Sequence, residues 1–383
     1  MDHKITMPCH FGMEAVLKRE LKDMGYEASE VTDGRVSIMG DALAIVRANM
    51  ELATAERVLI EVGSFRARDF EELFQGIRAI AWEEYIPADG RFWVTKAGST
   101  DSKLTSLPTI QSVAKKAMVE RMGAKYGISH FPEDGDDYPV RIFLRRDEAV
   151  VYLDTTGVPL HKRGYRALTA AAPIAETLAA AMIRLSPWRE VRPLIDPFCG
   201  SGTFVIEAAM MAAHIAPGLK RDFTAMKWKN VTPQRIWDLH KNELRSKADK
   251  GVATSIVGSD IDPEMIGIAK KNAEAAGVAE LIDFKCMDVG QMSSDRSYGF
   301  VITNPPYGER LENEDSLPQI YKALGKAFFA MDEWSMYMIS GYEDSERYIG
   351  KKADKRRKLY NGMMRTQLYQ YMGAKPPKKD KAQ

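Results

Sequence analysis

Asn304-Pro305-Pro306-Tyr307 stands directly after the apolar run Phe300–Thr303, and its residue types suit one demanding task. The exocyclic amine of a nucleobase is a poor nucleophile because its lone pair is delocalised into the ring. A site that alkylates it must hold both N–H bonds so that the lone pair faces the electrophile. The Asn304 side-chain oxygen supplies one acceptor and the Pro305 carbonyl a second. Proline has no N–H and a fixed φ, so Pro305-Pro306 stiffens the loop and presets those acceptors. Tyr307 offers a ring for the base to stack on, an interaction worth roughly 1–3 kcal/mol. No strong general base is required, because positioning the amine in line is the main task. Alone, the tetrapeptide would serve equally well as a tight turn. Its companions in the chain decide between the two.

The first companion is Asp196-Pro197-Phe198-Cys199-Gly200-Ser201-Gly202-Thr203, between the apolar run PLI and the helical stretch FVIEAAMMAA. Glycines here let backbone approach a ligand and turn tightly. A dinucleotide fingerprint would place a third glycine where Val205 stands. An acid beside the turn is also poor for pyrophosphate. It suits a ligand carrying an ammonium and a sulfonium, namely S-adenosylmethionine, whose sulfonium leaves as a neutral thioether. The second companion is Ile256-Val257-Gly258-Ser259-Asp260-Ile261-Asp262, an apolar run ending in a carboxylate that can accept from both ribose hydroxyls. Asp262 precedes Pro263 and reads as a helix cap. The third is Asp288 after LIDFKC, placed to accept from an adenine amine. The expected cofactor set is Asp196, Phe198, Gly200, Ser201, Gly202, Asp260, Ile261, Asp288 and Asn304, with Asn304, Pro305, Pro306 and Tyr307 as the catalytic set. Cys199 is read as a buried thiol, since amine methylation needs no covalent intermediate. No metal site is expected.

These loops need a frame. From Ile174 the chain reads as regular βα alternation: PLIDPF, TSIVGSD, LIDFKC, YGFVITN and EWSMYMIS are short apolar runs, mostly followed by helices. That pattern predicts a parallel sheet covered on both faces. KRRKLY-NG-MMRTQLYQY predicts a closing antiparallel hairpin around Asn361-Gly362. The fold class is therefore α/β, a Rossmann-like class I methyltransferase domain with a seven-stranded, mostly parallel sheet. Residues 215–250 read as an insertion after the first helix. The preceding region is α+β: strand KITMPC, a helix ending at Gly25, a hairpin around Asp33-Gly34, then a second helix. A further unit starts at RVLIEVGSF and ends in the paired strands VRIFLRR and AVVYLDTTG. The expected boundaries are 1–56, 57–157, a basic linker 158–173, a catalytic domain 174–373 and a disordered basic tail 374–383.

Composition narrows the partners. Of 383 residues, 45% are hydrophobic and 28% charged, as in a globular protein. No apolar run reaches membrane-spanning length, and no signal peptide is recognisable. The three cysteines, Cys9, Cys199 and Cys286, lack paired spacing, which points to a reducing cytoplasm. Net charge is +1, but eleven Lys/Arg and two Asp fall from Lys351 onward, leaving about −8 on the rest. A basic end on an acidic body suggests a polyanionic partner.

DPFCGSGTFVIEAA, GSDIDP, TNPPYGER, KLYNG, LHKRGYR and VVYLDTTG together resemble the THUMP-domain class I RNA methyltransferases over the whole chain. The closest match is the bacterial 23S ribosomal RNA guanine-N2 methyltransferase group, often labelled N6-adenine-specific DNA methylases. The resemblance implies a ferredoxin-like piece (1–56), a THUMP module (57–157) that captures structured RNA, and a catalytic domain. It makes Lys115, Lys116, Lys162, Arg163 and Arg166 candidate RNA contacts. It also pairs Pro173 with Glu176, which would meet the methionine end of the cofactor. The implied reaction is methylation of guanine N2 in 23S rRNA. Alternatives are guanine N2 in tRNA, an N6-adenine methyltransferase, or an RNA-binding assembly protein with an inactive fold. Longer relatives carry a second catalytic domain, so a single methylation is expected here, with no membrane and no obligate protein partner.

Overall fold

The structure is a computed structural model that describes residues 2–166, 174–307, 316–362 and 364–377. The N-terminal half contains β1 (His3–Pro8), α1 (Glu14–Asp23), β2 (Ala28–Thr32), β3 (Arg35–Gly40) and α2 (Ala42–Glu51). It continues with β4 (Leu59–Arg66), α3 (Phe70–Ala79), β5 (Arg91–Thr100), α4 (Leu107–Tyr126), β6 (Asp137–Arg145) and β7 (Glu148–Asp154). The strands alternate apolar and polar residues because one face packs on helices. They form one seven-stranded sheet of order β2-β3-β1-β4-β7-β6-β5. The sequence pattern predicts two separate units here. Between them β1 pairs antiparallel with β4, with Ile5 opposite Ile60, so one sheet runs through both.

The second half contains α5 (Glu176–Leu185), β8 (Leu194–Asp196), α6 (Thr203–Ala212), α7 (Gln234–Lys247), β9 (Ile256–Asp260), α8 (Pro263–Ala276) and β10 (Ile282–Cys286). Then follow β11 (Phe300–Thr303), α9 (Leu317–Phe329), β12 (Ser335–Ser340), α10 (Ser345–Ile349), β13 (Lys355–Asn361) and β14 (Met364–Tyr371). Their sheet order is β10-β9-β8-β11-β12-β14-β13. The first five are parallel and β14 runs against β12, as the hairpin signal predicts. The chain leaves β8 outward on one side to β9 and β10, and returns on the other to β11 and β12. The crevice between β8 and β11 is thus the switch point, where ligands of such sheets bind. α6 is apolar except for Thr203 and Glu207 and is almost wholly buried.

The insertion joins the two halves instead of standing free. Its Phe223, Trp228 and Trp237 belong to the core of the N-terminal sheet. Trp228 stacks on Tyr138 with centroids 5.0 Å apart, and its indole N–H donates to the Asp137 carbonyl at 2.8 Å. Buried aromatics of this kind dominate an interface because each removes a large area from water. Among the described residues no helix is long and apolar enough to cross a membrane.

Candidate active site

β8 delivers Asp196 to the crevice. The turn after it needs glycine at two places: Gly200 has φ +50° and Gly202 φ +88°. A Cβ at Gly202 would also lie only 3.2 Å from that of Ala269 on α8. A Cβ at Gly200 would meet nothing within 4 Å, so the space above the turn is open to a ligand. The turn is tied on both sides. The Cys199 amide donates to the Ser259 carbonyl at 2.9 Å, and Asn272 donates to the Ser201 carbonyl at 3.0 Å. The free N–H groups of α6 begin directly after Gly202 and favour negative charge there.

Asp260 ends β9 beside that turn. One oxygen accepts from the Gly200 amide at 2.9 Å, the other from the Asp262 amide at 3.1 Å. Burial, partly offset by those amides, raises its carboxyl above the usual carboxylate value. The next side chain, Ile261, is 69% exposed, which leaves a bare apolar surface beside the carboxylate. Asp262 caps α8 through the Glu264 amide at 2.8 Å. Asp288, two residues beyond β10, is exposed and accepts from the Gly290 amide at 2.8 Å. Phe198 is half-buried and Ser201 buried in the turn itself.

The Asn304 loop and the glycine turn follow the neighbouring parallel strands β11 and β8 at the same end of the sheet. Thr303, the last residue of β11, donates its hydroxyl to Asp196 at 2.6 Å. The Phe198 amide also donates to Asp196, at 3.2 Å. Burial nevertheless pushes the Asp196 carboxyl up to about 7, with Asp260 adding repulsion. The Asn304 side-chain oxygen is buried and accepts no hydrogen bond. A buried orphan acceptor costs roughly 1–3 kcal/mol, and such atoms mark places where a ligand completes the structure. Cys199 is buried and its thiol is pushed well above its ordinary value by burial, which keeps it un-ionised.

Tyr307 departs from expectation. Its ring is fully buried, close against Gly341, and its hydroxyl accepts from Asn361 at 3.0 Å. It is not an open stacking face. Gly308, Glu309 and Arg310 lie outside the described residues, as do Pro173 and the tail from residue 378.

The basic linker also departs from expectation, because two of its three candidate RNA contacts face inward. Arg163 is buried, donating to both Glu207 oxygens at 3.3 Å, to the Ala53 carbonyl at 2.6 Å and to the Leu160 carbonyl at 2.8 Å. A charge so thoroughly paired is a structural pin and cannot reach RNA. Arg166 donates to the Thr203 hydroxyl at 2.7 Å and lies 3.5 Å from Glu176, so it braces α6 and α5. Glu176 is buried, and burial raises its carboxyl against the pull of Arg166. Lys115 is half-buried, bonded to Glu133 and the Phe92 carbonyl. Lys116 and Lys162 are exposed. Thr303, Asn361 and Glu207 lie within TNPPYGER, KLYNG and DPFCGSGTFVIEAA, but nothing in those motifs announces their partners Asp196, Tyr307 and Arg163.

Residues 163–370 match the family model described as the RMKL-like methyltransferase domain. The chain belongs to this family. Residues 4–59 match the RlmL ferredoxin-like domain and residues 67–154 the THUMP domain. This RMKL-like methyltransferase is 44% identical over 374 residues, 97% of it and 96% of the relative, to the Bacillus subtilis (strain 168) protein named "Putative RNA methyltransferase YpsC". A structure described as a possible methylase from Clostridium difficile 630 superposes with a TM-score of 0.94 at 46% identity, covering 99% of this chain and 100% of that one. SMU.472, crystallised with SAH, gives 0.92 at 40%, covering 98% and 99%. As a class I member of this family, the chain takes its methyl group from S-adenosylmethionine.

Proposed function

We propose that the chain is an RNA methyltransferase that methylates the exocyclic N2 of a guanine in 23S rRNA. The carrying observation is the buried, unbonded Asn304 oxygen at the end of β11, the strand next to the one that carries the Gly200–Gly202 turn. S-adenosylmethionine supplies a methyl group on a sulfonium, a strong electrophile needing no activation. The residues present fit it: two carboxylates for its cationic and ribose parts, open space over Gly200 and a bare apolar side chain at Ile261. Asp260 receives the ribose hydroxyls, and Phe198, Ser201 and Asp288 complete the cofactor wall. Buried Glu176 faces the methionine end across the start of α5.

On the substrate side, the Asn304 oxygen and the Pro305 carbonyl accept hydrogen bonds from the two amine hydrogens, leaving the nitrogen lone pair in line with the methyl group; as the N–C bond forms the S–C bond breaks to a neutral thioether, and the methylated nitrogen then loses one proton to water. Pro306 keeps the loop stiff. The Asp196–Thr303 hydrogen bond fixes the distance between the two loops. The target base must leave its stack, which costs a few kcal/mol. The THUMP domain match and the RNA methyltransferase name of the B. subtilis relative support an RNA substrate. The exposed Lys116 and Lys162 are contacts for its phosphates, and such contacts make affinity fall with salt.

The test is methyl transfer from labelled S-adenosylmethionine to 23S rRNA, 16S rRNA, tRNA and duplex DNA from a host lacking the gene. Nucleoside mass spectrometry should find N2-methylguanosine in 23S rRNA. Label appearing only as N6-methyladenosine, or only in DNA, would reject the assignment.

A further inference from the structure

An exposed aromatic pair joins the two ends of the chain. Phe11, in the turn after β1, and Tyr360, at the tip of the β13–β14 hairpin, meet edge to face with centroids 6.5 Å apart. They are 51% and 36% exposed, although large aromatics are normally buried. The pair is held rigidly. Arg357 donates to the Gly12 carbonyl at 2.5 Å, and Gly12 sits close against Lys358 and Leu359. Tyr360 adjoins Asn361, whose side chain holds the hydroxyl of Tyr307. Tyr360 is thus next in the chain to the residue that holds Tyr307, the last described residue of the Asn304 loop.

The surroundings are cationic. On the hairpin, Tyr360 pairs across with Arg365, and Lys358 lies two residues back on the same face. Lys358 also sits 5.4 Å from the Tyr360 ring centre. Lys358 and Arg365 are exposed, and among the described residues neither meets a carboxylate. Exposed rings beside cations that meet no carboxylate suit a single nucleic-acid strand: the rings take a base face and the cations take phosphates.

We propose that Phe11 and Tyr360 form a stacking step for an unpaired base of the RNA neighbouring the target nucleotide, with Lys358 and Arg365 on the flanking phosphates. The inference rests on reading the Asn304 loop as the target-base site. It gives the N-terminal ferredoxin-like domain a share in holding the RNA, through the turn that packs on the β13–β14 hairpin. A flanking base held here keeps the strand splayed while the target base enters the crevice.

The experiment titrates the full chain into a short single-stranded RNA carrying 2-aminopurine, whose fluorescence is quenched on stacking. The wild-type chain should quench it. Phe11→Ala and Tyr360→Ala should each weaken RNA binding about fivefold or more and lose the quench, with cofactor affinity unchanged. Tyr360→Phe and Phe11→Trp should restore both. Should an alanine variant unfold, Phe11→Leu decides, because leucine keeps the apolar contact but has no ring face. No quench by the wild-type chain, or wild-type RNA affinity in Phe11→Leu, overturns the proposal. Because quenching needs no methyl transfer, a negative product assay would strike the guanine reading and leave this one standing.

Discussion

Asn304→Ala separates a functional acceptor from a structural one. In the free protein the Asn304 oxygen is buried without a partner. That arrangement costs roughly 1–3 kcal/mol of desolvation. Truncation to alanine removes the cost and loses some side-chain packing, about 1 kcal/mol for a group this small. The two nearly cancel or favour the variant, so the melting temperature should stay level or rise by about 1 °C. Catalysis should respond in the opposite sense. Removing one preorganised hydrogen-bonding group from an active site typically lowers kcat by about 10²–10³. The assay pairs thermal unfolding with single-turnover methyl transfer, and calorimetry confirms that cofactor affinity is retained. A fall of several degrees would make Asn304 an ordinary structural residue. A rate within tenfold of wild type would remove it from the acceptor role.

Asp260→Ala should weaken S-adenosylmethionine binding by about 10–100-fold, the loss expected for hydrogen bonds to a charged group, while RNA affinity holds; unchanged cofactor affinity by calorimetry would reject the ribose role. Asp196 predicts a pH signature: its carboxyl, at about 7 in the folded chain, must be ionised to receive a cationic ligand, so cofactor affinity should fall about tenfold per unit as pH drops below 7. The same shift has the opposite sense for the free protein. Because the folded value lies above the unfolded one, the stabilising contribution is fully present below the unfolded value and is lost as pH rises through 7. Melting temperatures of wild type and Asp196→Asn across that window should diverge accordingly, and parallel curves would contradict it. Trp228→Ala should cost about 3–5 kcal/mol by emptying its stack with Tyr138; an unchanged melting temperature would mean that the insertion does not staple the halves.

The sequence alone determines what is local. Strand ends are marked by a switch from apolar runs to Gly, Pro and Asp, so this local pattern by itself sets Asp196, Asp260, Asp288 and Asn304 at the ends of β8, β9, β10 and β11. Asn361-Gly362 likewise declares its hairpin. The relative position of those ends is implied by the βα pattern, because parallel strands with right-handed crossovers bring every strand end to one edge.

Tertiary structure decides everything that pairs distant residues. Whether Arg163 is a surface cation or a buried pin depends on Glu207, which lies on another element, and only packing brings them together. The same holds for Thr303 with Asp196, for the unbonded state of the Asn304 oxygen, and for the enclosure of Tyr307. Phe11 and Tyr360 stand at opposite ends of the chain, and nothing periodic links them. Hydrophobic periodicity reports which face of an element is buried, but not what it is buried against. Partners across long loops are fixed by the closure of the whole chain, and that is where this site acquires its geometry.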